Sequence, residues 1–277
     1  MKTLQEAIHR MDNKGGAGSS LRKHLNAAGI HEWEDISRAS LYDFHDTLCS
    51  TVAPSTAKTV MGYCKALLGR YSDTLNLPSD WQKILTTRGC KPVRAYLTPE
   101  ELRAFEAYKP KNEMEAVVKA ECLIEAYTGA RISDVLELTE ENFSGGSLTY
   151  TSKKTKVTAT VPTTDKIKGL VSFVRENYDK NPSMVSRERI IRRIAKAAGI
   201  TSPVSIFKAG KPVKGPKCDH ITSHTFRISF VTNLQLAGID MVSLSRLAGH
   251  TNTAMTERYC APTAPKLTDM ALAYFGV

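Results

Sequence analysis

The pattern that most restricts this chain lies between residues 98 and 131. Thr98-Pro99-Glu100-Glu101 reads as a helix start. Thr98 is placed to cap, Pro99 suits the first turn, and Glu101 completes a capping box. A longer helix is predicted over 113–127. There Val117, Ala120, Leu123, Ile124 and Tyr127, widened by Val118, form a broad apolar stripe. A helix with so wide an apolar face belongs at the centre of a domain, with other elements packed around it. Thr128-Gly129-Ala130-Arg131 ends it, and a further helix is expected from Ile132 to Leu138, with Asp134 in its first turn.

The segments before it read as a smaller helical domain, 1–90. Leu4, Ile8 and Met11 have helical spacing. Ser19 or Ser20 is placed to cap a second helix through Leu21, Leu25 and Ala28, ending at Gly29. Ser37 or Ser40 begins a third, with Leu41, Phe44 and Leu48. Pro54 opens a fourth, with Val60, Cys64, Leu67 or Leu68, and Tyr71 on one face. Lys58 and Lys65 stand a heptad apart on another face, with Arg70 near it. That face is either a phosphate-facing edge or a solvated helix surface. Arg88, Gly89, Lys91, Pro92 and Arg94 fit a basic linker, which puts the domain boundary near residue 92.

After residue 142 the period changes. Leu148 and Tyr150, then Val157, Ala159 and Val161, alternate with threonines, so a β-hairpin is expected with its turn near Lys153–Lys156. Helices follow over 164–178 and 186–198. Residues 201–222 read as loop, rich in Gly, Pro and Lys, including Lys208 and Lys211. Helices at 224–237, 241–248 and 252–259 come next, then an apolar tail helix at about 265–277. The chain is therefore expected to be mainly α with a small β-sheet, in two domains: helical 1–90 and mixed α/β 91–277.

The composition limits the function classes. No run of about 18 apolar residues or signal-peptide core is present, which favours a cytoplasmic protein with no membrane partner. The six cysteines include no C-x-x-C pair, which argues against a zinc site or disulfide framework. Net charge is +10. Residues 1–90 carry 11 basic and 9 acidic side chains, so the excess lies mostly in the second part. A basic balance of this kind suits a partner rich in phosphate.

Six residues of that second part suit chemistry on a phosphodiester. His224 and Arg227 have H-x-x-R spacing, His250 follows a glycine, and Tyr259 lies nine residues further on; Arg131 and Lys154 precede them. Singly, each has an ordinary structural reading: a helix-start arginine, a turn lysine, an amphipathic tyrosine. Together they form a complete set. A tyrosine hydroxyl, with a pKa of about 10, needs its proton removed before it can attack phosphorus. Arginines can hold the non-bridging oxygens, a histidine can exchange the proton, and a lysine can protonate the leaving oxygen. No metal or other cofactor is required by this set.

These motifs resemble the tyrosine recombinase (phage integrase) family over about residues 95–262. TGARISD resembles T-G-x-R-x-S-E and puts Arg131 at the first catalytic arginine. KKTKVTATVP resembles the family hairpin, and the distance to Pro162 selects Lys154 as the catalytic lysine over Lys153 and Lys156. SHTFRISF resembles H-x-L-R-H-T-F, giving His224 and Arg227. LAGHTNTAMTERY resembles the family's final motif, giving His250 and the nucleophile Tyr259. Asp134 stands where the family has glutamate, and Ile228 where it often has a second histidine.

The resemblance implies a DNA strand transferase working through a 3′-phosphotyrosine and a Holliday junction, without metal, ATP or another cofactor. Its partner would be double-stranded DNA carrying a specific site, held by a homotetramer that assembles from monomers. The helical core-binding domain and the tyrosine-recombinase catalytic domain would form a C-shaped clamp. Location would be the nucleoid, or host cytoplasm for a phage-encoded protein. The chain begins with the core-binding-like region, so no arm-binding domain is expected before it. The tail helix would dock in cis or on a neighbouring protomer. Lys58, Lys65, Arg70, Arg88, Lys91, Arg94, Lys208 and Lys211 are the DNA-binding candidates. A type IB topoisomerase and a non-catalytic DNA-binding module remain as alternatives.

Overall fold

The computed structural model describes residues 2–12, 16–87, 95–208 and 211–257, without the side chains of Asp12, 206–208, 211 and 212. The chain divides into two compact units. One comprises 1–92 with 205–213, and the other 93–204 with 214–277. Segment 205–213, inside the expected second domain, thus groups with the first unit.

The first unit is built from α1 (Leu4–Asp12), α2 (Ala17–Ala27), α3 (Arg38–Thr51), α4 (Pro54–Arg70) and the short α5 (Trp81–Ile84). Leu4, Ile8, Leu21, Leu41, Phe44, Leu48, Met61 and Leu68 meet in its core. The expected cap at Ser19 or Ser20 is corrected. α2 begins earlier, at Ala17, with Gly16 at its N-cap in the left-handed region (φ +79°) and no capping side chain. At α3 the two serines act together: Ser37 accepts from the Ser40 amide, and Ser40 Oγ accepts from the Ser37 amide.

In the second unit the capping box forms as expected at α6 (Pro99–Ala107), with Thr98 and Glu101 exchanging bonds. α7 (Glu113–Thr128) is the central helix. Around it pack α9 (Asp165–Glu176), α10 (Met184–Ala197) and α11 (Ser223–Leu236). Val118, Cys122 and Leu123 face one core with Phe105, Ile191, Ile194 and Phe226. Ala120 and Ile124 face a second with Leu148, Tyr150, Val161, Val171 and Val231. Burial extends to three glutamates of α7. Glu115 pairs with Arg193 at 2.7 Å, and Glu121 with the buried Arg187 at 2.8 Å. Glu125, the third, lies in the last turn.

α8 (Ile132–Val135) stops short of the expected Leu138. β1 (Phe143–Ser144), β2 (Ser147–Thr151) and β3 (Thr158–Pro162) form an antiparallel sheet in that order, Leu148 opposite Val161 and Tyr150 opposite Ala159. The alternation that predicted the hairpin is the burial pattern observed: Leu148, Tyr150, Ala159 and Val161 point inward.

Residues 201–222 correct the loop expectation. β4 (Pro203–Lys208) pairs with β5 (Lys211–Pro216), and a short 3-10 turn covers Lys217–His220. Pro212, Gly215 and Pro216 obscured the strand. In a two-stranded ribbon each strand keeps an open edge, where a residue without an N–H is tolerated. α12 (Met241–Leu247) and α13 (Thr253–Glu257) complete the described elements. Among the described residues no helix is long and apolar enough to cross a membrane.

Candidate active site

Helix α7 ends because Gly129 takes a left-handed conformation, φ +68°, as its C-cap. A second constraint acts at the same residue. A Cβ there would meet Phe230 ring carbons at 2.5 and 2.7 Å, so glycine is required by backbone and neighbour alike. The chain then runs extended through Arg131, which is the N-cap residue of α8.

Arg131 is mostly covered. It donates to Ser152 Oγ at 2.8 Å and lies 3.9 Å from Asp134 Oδ2. Asp134, almost wholly buried, also accepts from the Lys153 backbone amide at 3.0 Å. The aspartate therefore braces the arginine and the hairpin turn together. The turn lysines differ. Lys153 is ion-paired to Glu137 at 2.8 Å. Lys154 and Lys156 are exposed and make no ion pair among the described residues; Lys156 has a left-handed backbone, φ 57°. Thr155 Oγ1 donates to the Gly249 carbonyl at 3.4 Å, tying the turn to the loop that carries His250.

Arg227 is the largest fully buried side chain among the described residues. One guanidinium nitrogen donates to the Gly129 carbonyl and the other terminal nitrogen to the Ala248 carbonyl at 2.6 Å. It thereby joins three segments distant in sequence: the turn before Arg131, α11 itself and the loop before His250. His224 is half-buried in the first turn of α11.

His250 follows Gly249, whose φ is +60° and whose added Cβ would stand 3.3 Å from Ala159 Cβ. Its Nδ1 is 2.8 Å from the hydroxyl of the buried Thr256 on α13. Burial, and then the positive charges of Arg227, Arg131 and His224, lower its pKa to about 3. The imidazole is neutral at any working pH, so it can hydrogen-bond a phosphate but does not bring a charge. Tyr259 lies outside the described residues, as do Arg88, Lys91, Arg94 and the tail; α13, anchored by Thr256, ends at Glu257.

Other members of the site were not singled out from sequence. Tyr150 is buried on β2. Its hydroxyl is pushed up to about 12, chiefly by burial, with Arg227 and Arg131 opposing. Alternation marks Tyr150 only as a core position. Ser152 and Thr256 carry no periodic signal, although Thr256 falls inside the final motif.

Three of the DNA-binding candidates lie on α4. Lys58 and Arg70 are exposed on α4, whereas Lys65 is partly covered and donates to Thr86 Oγ1 at 2.6 Å. Lys208 ends β4 and Lys211 begins β5; their side chains lie outside the described set.

The phage integrase family model matches residues 95–265. Tyrosine recombinase XerA of Pyrococcus furiosus is 26% identical over 182 residues, which cover 65% of this chain and 61% of that protein. Matches to curated relatives span between 47% and 61% of those proteins' own lengths. In fold the chain is similar to the Tn1549 transposon integrase in complex with transposon right end DNA. The TM-score is 0.69 at 13% identity, with 100% of each chain covered. It is also similar to lambda integrase in a tetramer bound to a Holliday junction. There the TM-score is 0.65 at 16% identity, covering 94% of this chain and 78% of that one.

Proposed function

The chain belongs to the phage integrase family of tyrosine recombinases, and from that premise we propose that it is a site-specific DNA recombinase acting through a covalent 3′-phosphotyrosine. The observation that supports this best is the position of Arg227. Its bonds to Gly129 and Ala248 draw the Arg131 turn and the His250 loop to one place, and Thr155 adds the hairpin turn.

In this reading the Tyr259 hydroxyl oxygen attacks the scissile phosphorus and its proton passes to His224. The bond from phosphorus to the 5′ oxygen breaks, and that oxygen takes a proton from Lys154. Arg131 and Arg227 stabilise the charge that builds on the non-bridging oxygens, with neutral His250 donating a further hydrogen bond. If the Thr256 hydroxyl donates to Nδ1, the imidazole proton sits on Nε2, the nitrogen that would donate to the phosphate. The phosphodiester bond energy is kept in the phosphotyrosine, so a 5′-hydroxyl of a partner duplex reverses the step without ATP or metal. Four protomers exchange strands in pairs through a Holliday junction, as the lambda integrase assembly suggests by analogy.

The helical 1–90 region serves as the core-binding domain. Lys58 and Arg70, with the basic linker and Lys208 and Lys211, neutralise backbone phosphates and do not read bases. Docking of the apolar tail on a neighbouring protomer, as against on its own domain, is the reading that its deletion tests. Deleting residues 264–277 should abolish tetramer assembly, and unchanged recombination would refute this docking. The central test is a nicked duplex carrying the cognate recombination site. Wild type should be trapped as a covalent adduct and Tyr259→Phe should not. An adduct formed by Tyr259→Phe would remove the nucleophile assignment.

A further inference from the structure

The inward alternation of β2, which buries Leu148 and Tyr150, carries on to Ser152, the residue after the strand. The ladder continues there too. The Ser152 amide donates to the Val157 carbonyl and the Lys156 amide donates to the Ser152 carbonyl, each at 2.9 Å. These two backbone bonds close the turn that carries Lys153, Lys154 and Thr155. The side chain is left for another task. Ser152 is 1% exposed, so water does not serve its hydroxyl, and a buried hydroxyl calls for a protein partner. That partner is Arg131, whose Nη1 donates to Ser152 Oγ at 2.8 Å.

The same nitrogen has a second acceptor close by. Asp134 Oδ2 stands 3.9 Å from Arg131 Nη1, beyond hydrogen-bond distance. The two acceptors act differently on an arginine. A hydroxyl is neutral: it fixes the direction of an N–H and leaves the positive charge intact. A carboxylate in full contact pairs with that charge, and a phosphate then meets a nearly neutral group. Asp134 is almost wholly buried, so its pull on Arg131 is weakly screened. Its Oδ1 is engaged by the Lys153 amide at 3.0 Å, which fixes the carboxylate in place.

We infer that Ser152 is a positioning residue for strand cleavage: its hydroxyl holds the Arg131 guanidinium off Asp134 and aims it at the scissile phosphate. The catalytic half of this inference rests on the recombinase reading. Without the hydroxyl, Arg131 swings toward Asp134 and its charge is taken up by the carboxylate. The turn that carries Lys154 is closed at Ser152 by backbone bonds alone, which alanine also makes. Removing the hydroxyl therefore disturbs the arginine and spares the lysine.

The test compares the full chain with Ser152→Ala on the nicked duplex, at DNA concentrations that saturate binding. Covalent adduct formation should slow by about tenfold or more, as it does when a transition-state group is misplaced. Ser152→Thr keeps the hydroxyl and should recover most of the rate. A Ser152→Ala rate within about twofold of wild type would overturn the inference, and so would a folded Ser152→Thr as slow as Ser152→Ala. Sulfur in place of the 5′-bridging oxygen separates the arginine from the lysine. A thiolate leaves without an acid, so a defect that runs through Lys154 vanishes on that substrate and one that runs through Arg131 persists. A vanished defect would overturn the assignment to Arg131. If Ser152→Thr does not fold, Ser152→Ala in an Arg131→Lys background decides: it should add less than about twofold, and a larger further loss overturns the inference. A readout without DNA keeps the two readings apart. The NMR signals of the Arg131 guanidinium, assigned with Arg131→Lys, should shift between wild type and Ser152→Ala, and no shift would overturn the contact. Should they shift while wild type forms no adduct, the recombinase reading fails with the catalytic half, and the hold of Ser152 on Arg131 stands.

Discussion

Replacing Arg227 with lysine keeps a positive charge in α11 but removes the planar fork. A single ammonium can reach the Gly129 carbonyl or the Ala248 carbonyl, and geometry does not let it serve both as the guanidinium does. The loss is one hydrogen bond from a charged donor, about 1.5–3 kcal/mol, plus the cost of a buried carbonyl left without a partner. Full burial of the site means that solvent does not soften either term. A total of about 2–4 kcal/mol is expected, which corresponds to roughly 30-fold to roughly 900-fold in an equilibrium constant. The assay is amide hydrogen exchange by mass spectrometry on peptides from α7 and α11, wild type against Arg227→Lys. Protection should drop by that factor in both helices and stay unchanged in α1–α4 of the first unit. Exchange in α7 and α11 within about twofold of wild type would refute the reasoning, because it would mean that the arginine is not what joins the Gly129 and Ala248 segments.

Gly129→Ala meets two obstacles, a left-handed backbone and the Phe230 ring, and should cost about 2–4 kcal/mol in chemical denaturation; adding Phe230→Leu should recover only the steric part. His250 should stay neutral in an NMR titration down to pH 5. Its folded pKa of about 3 lies below the ordinary 6.5, so its contribution to stability is present above pH 6.5 and is lost as pH falls toward 3. His250→Gln should flatten part of that acid slope in Tm. Lys154→Ala should slow cleavage on the nicked duplex by about 100-fold or more, and Lys153→Ala and Lys156→Ala should not. Replacing the 5′-bridging oxygen at the scissile phosphate with sulfur should restore the Lys154→Ala rate, since a thiolate leaves without an acid. Failure of that rescue would move the general acid elsewhere.

Much of the fold was legible because its signals are local. The Thr98–Glu101 box, the stripe on α7 and the β2–β3 alternation each depend on neighbours within a few positions, and each appears where its pattern lies. β4 and β5 were not legible, since Pro212, Gly215 and Pro216 carry turn chemistry and only cross-strand pairing makes them a ribbon. The missed start of α2 at Gly16 follows from the same limit: a glycine N-cap offers no side chain to recognise.

The candidate site divides in the same way. Sequence alone determined which residue types are available to a phosphate, because Arg131, Lys154, His224, Arg227, His250 and Tyr259 carry their chemistry in their side chains. It could not determine their states. Arg227 reads as a phosphate clamp in sequence, and the fold adds that it is a buried crosslink holding Gly129 to Ala248. The neutral state of His250 comes from its burial and from the positive charges beside it. Tyr150 reads as a strand core position, yet it lies within electrostatic reach of Arg227. The physical reason is common to all of them. Identity and spacing are properties of the chain, whereas desolvation and the charge of neighbours depend on which segments the tertiary structure brings together.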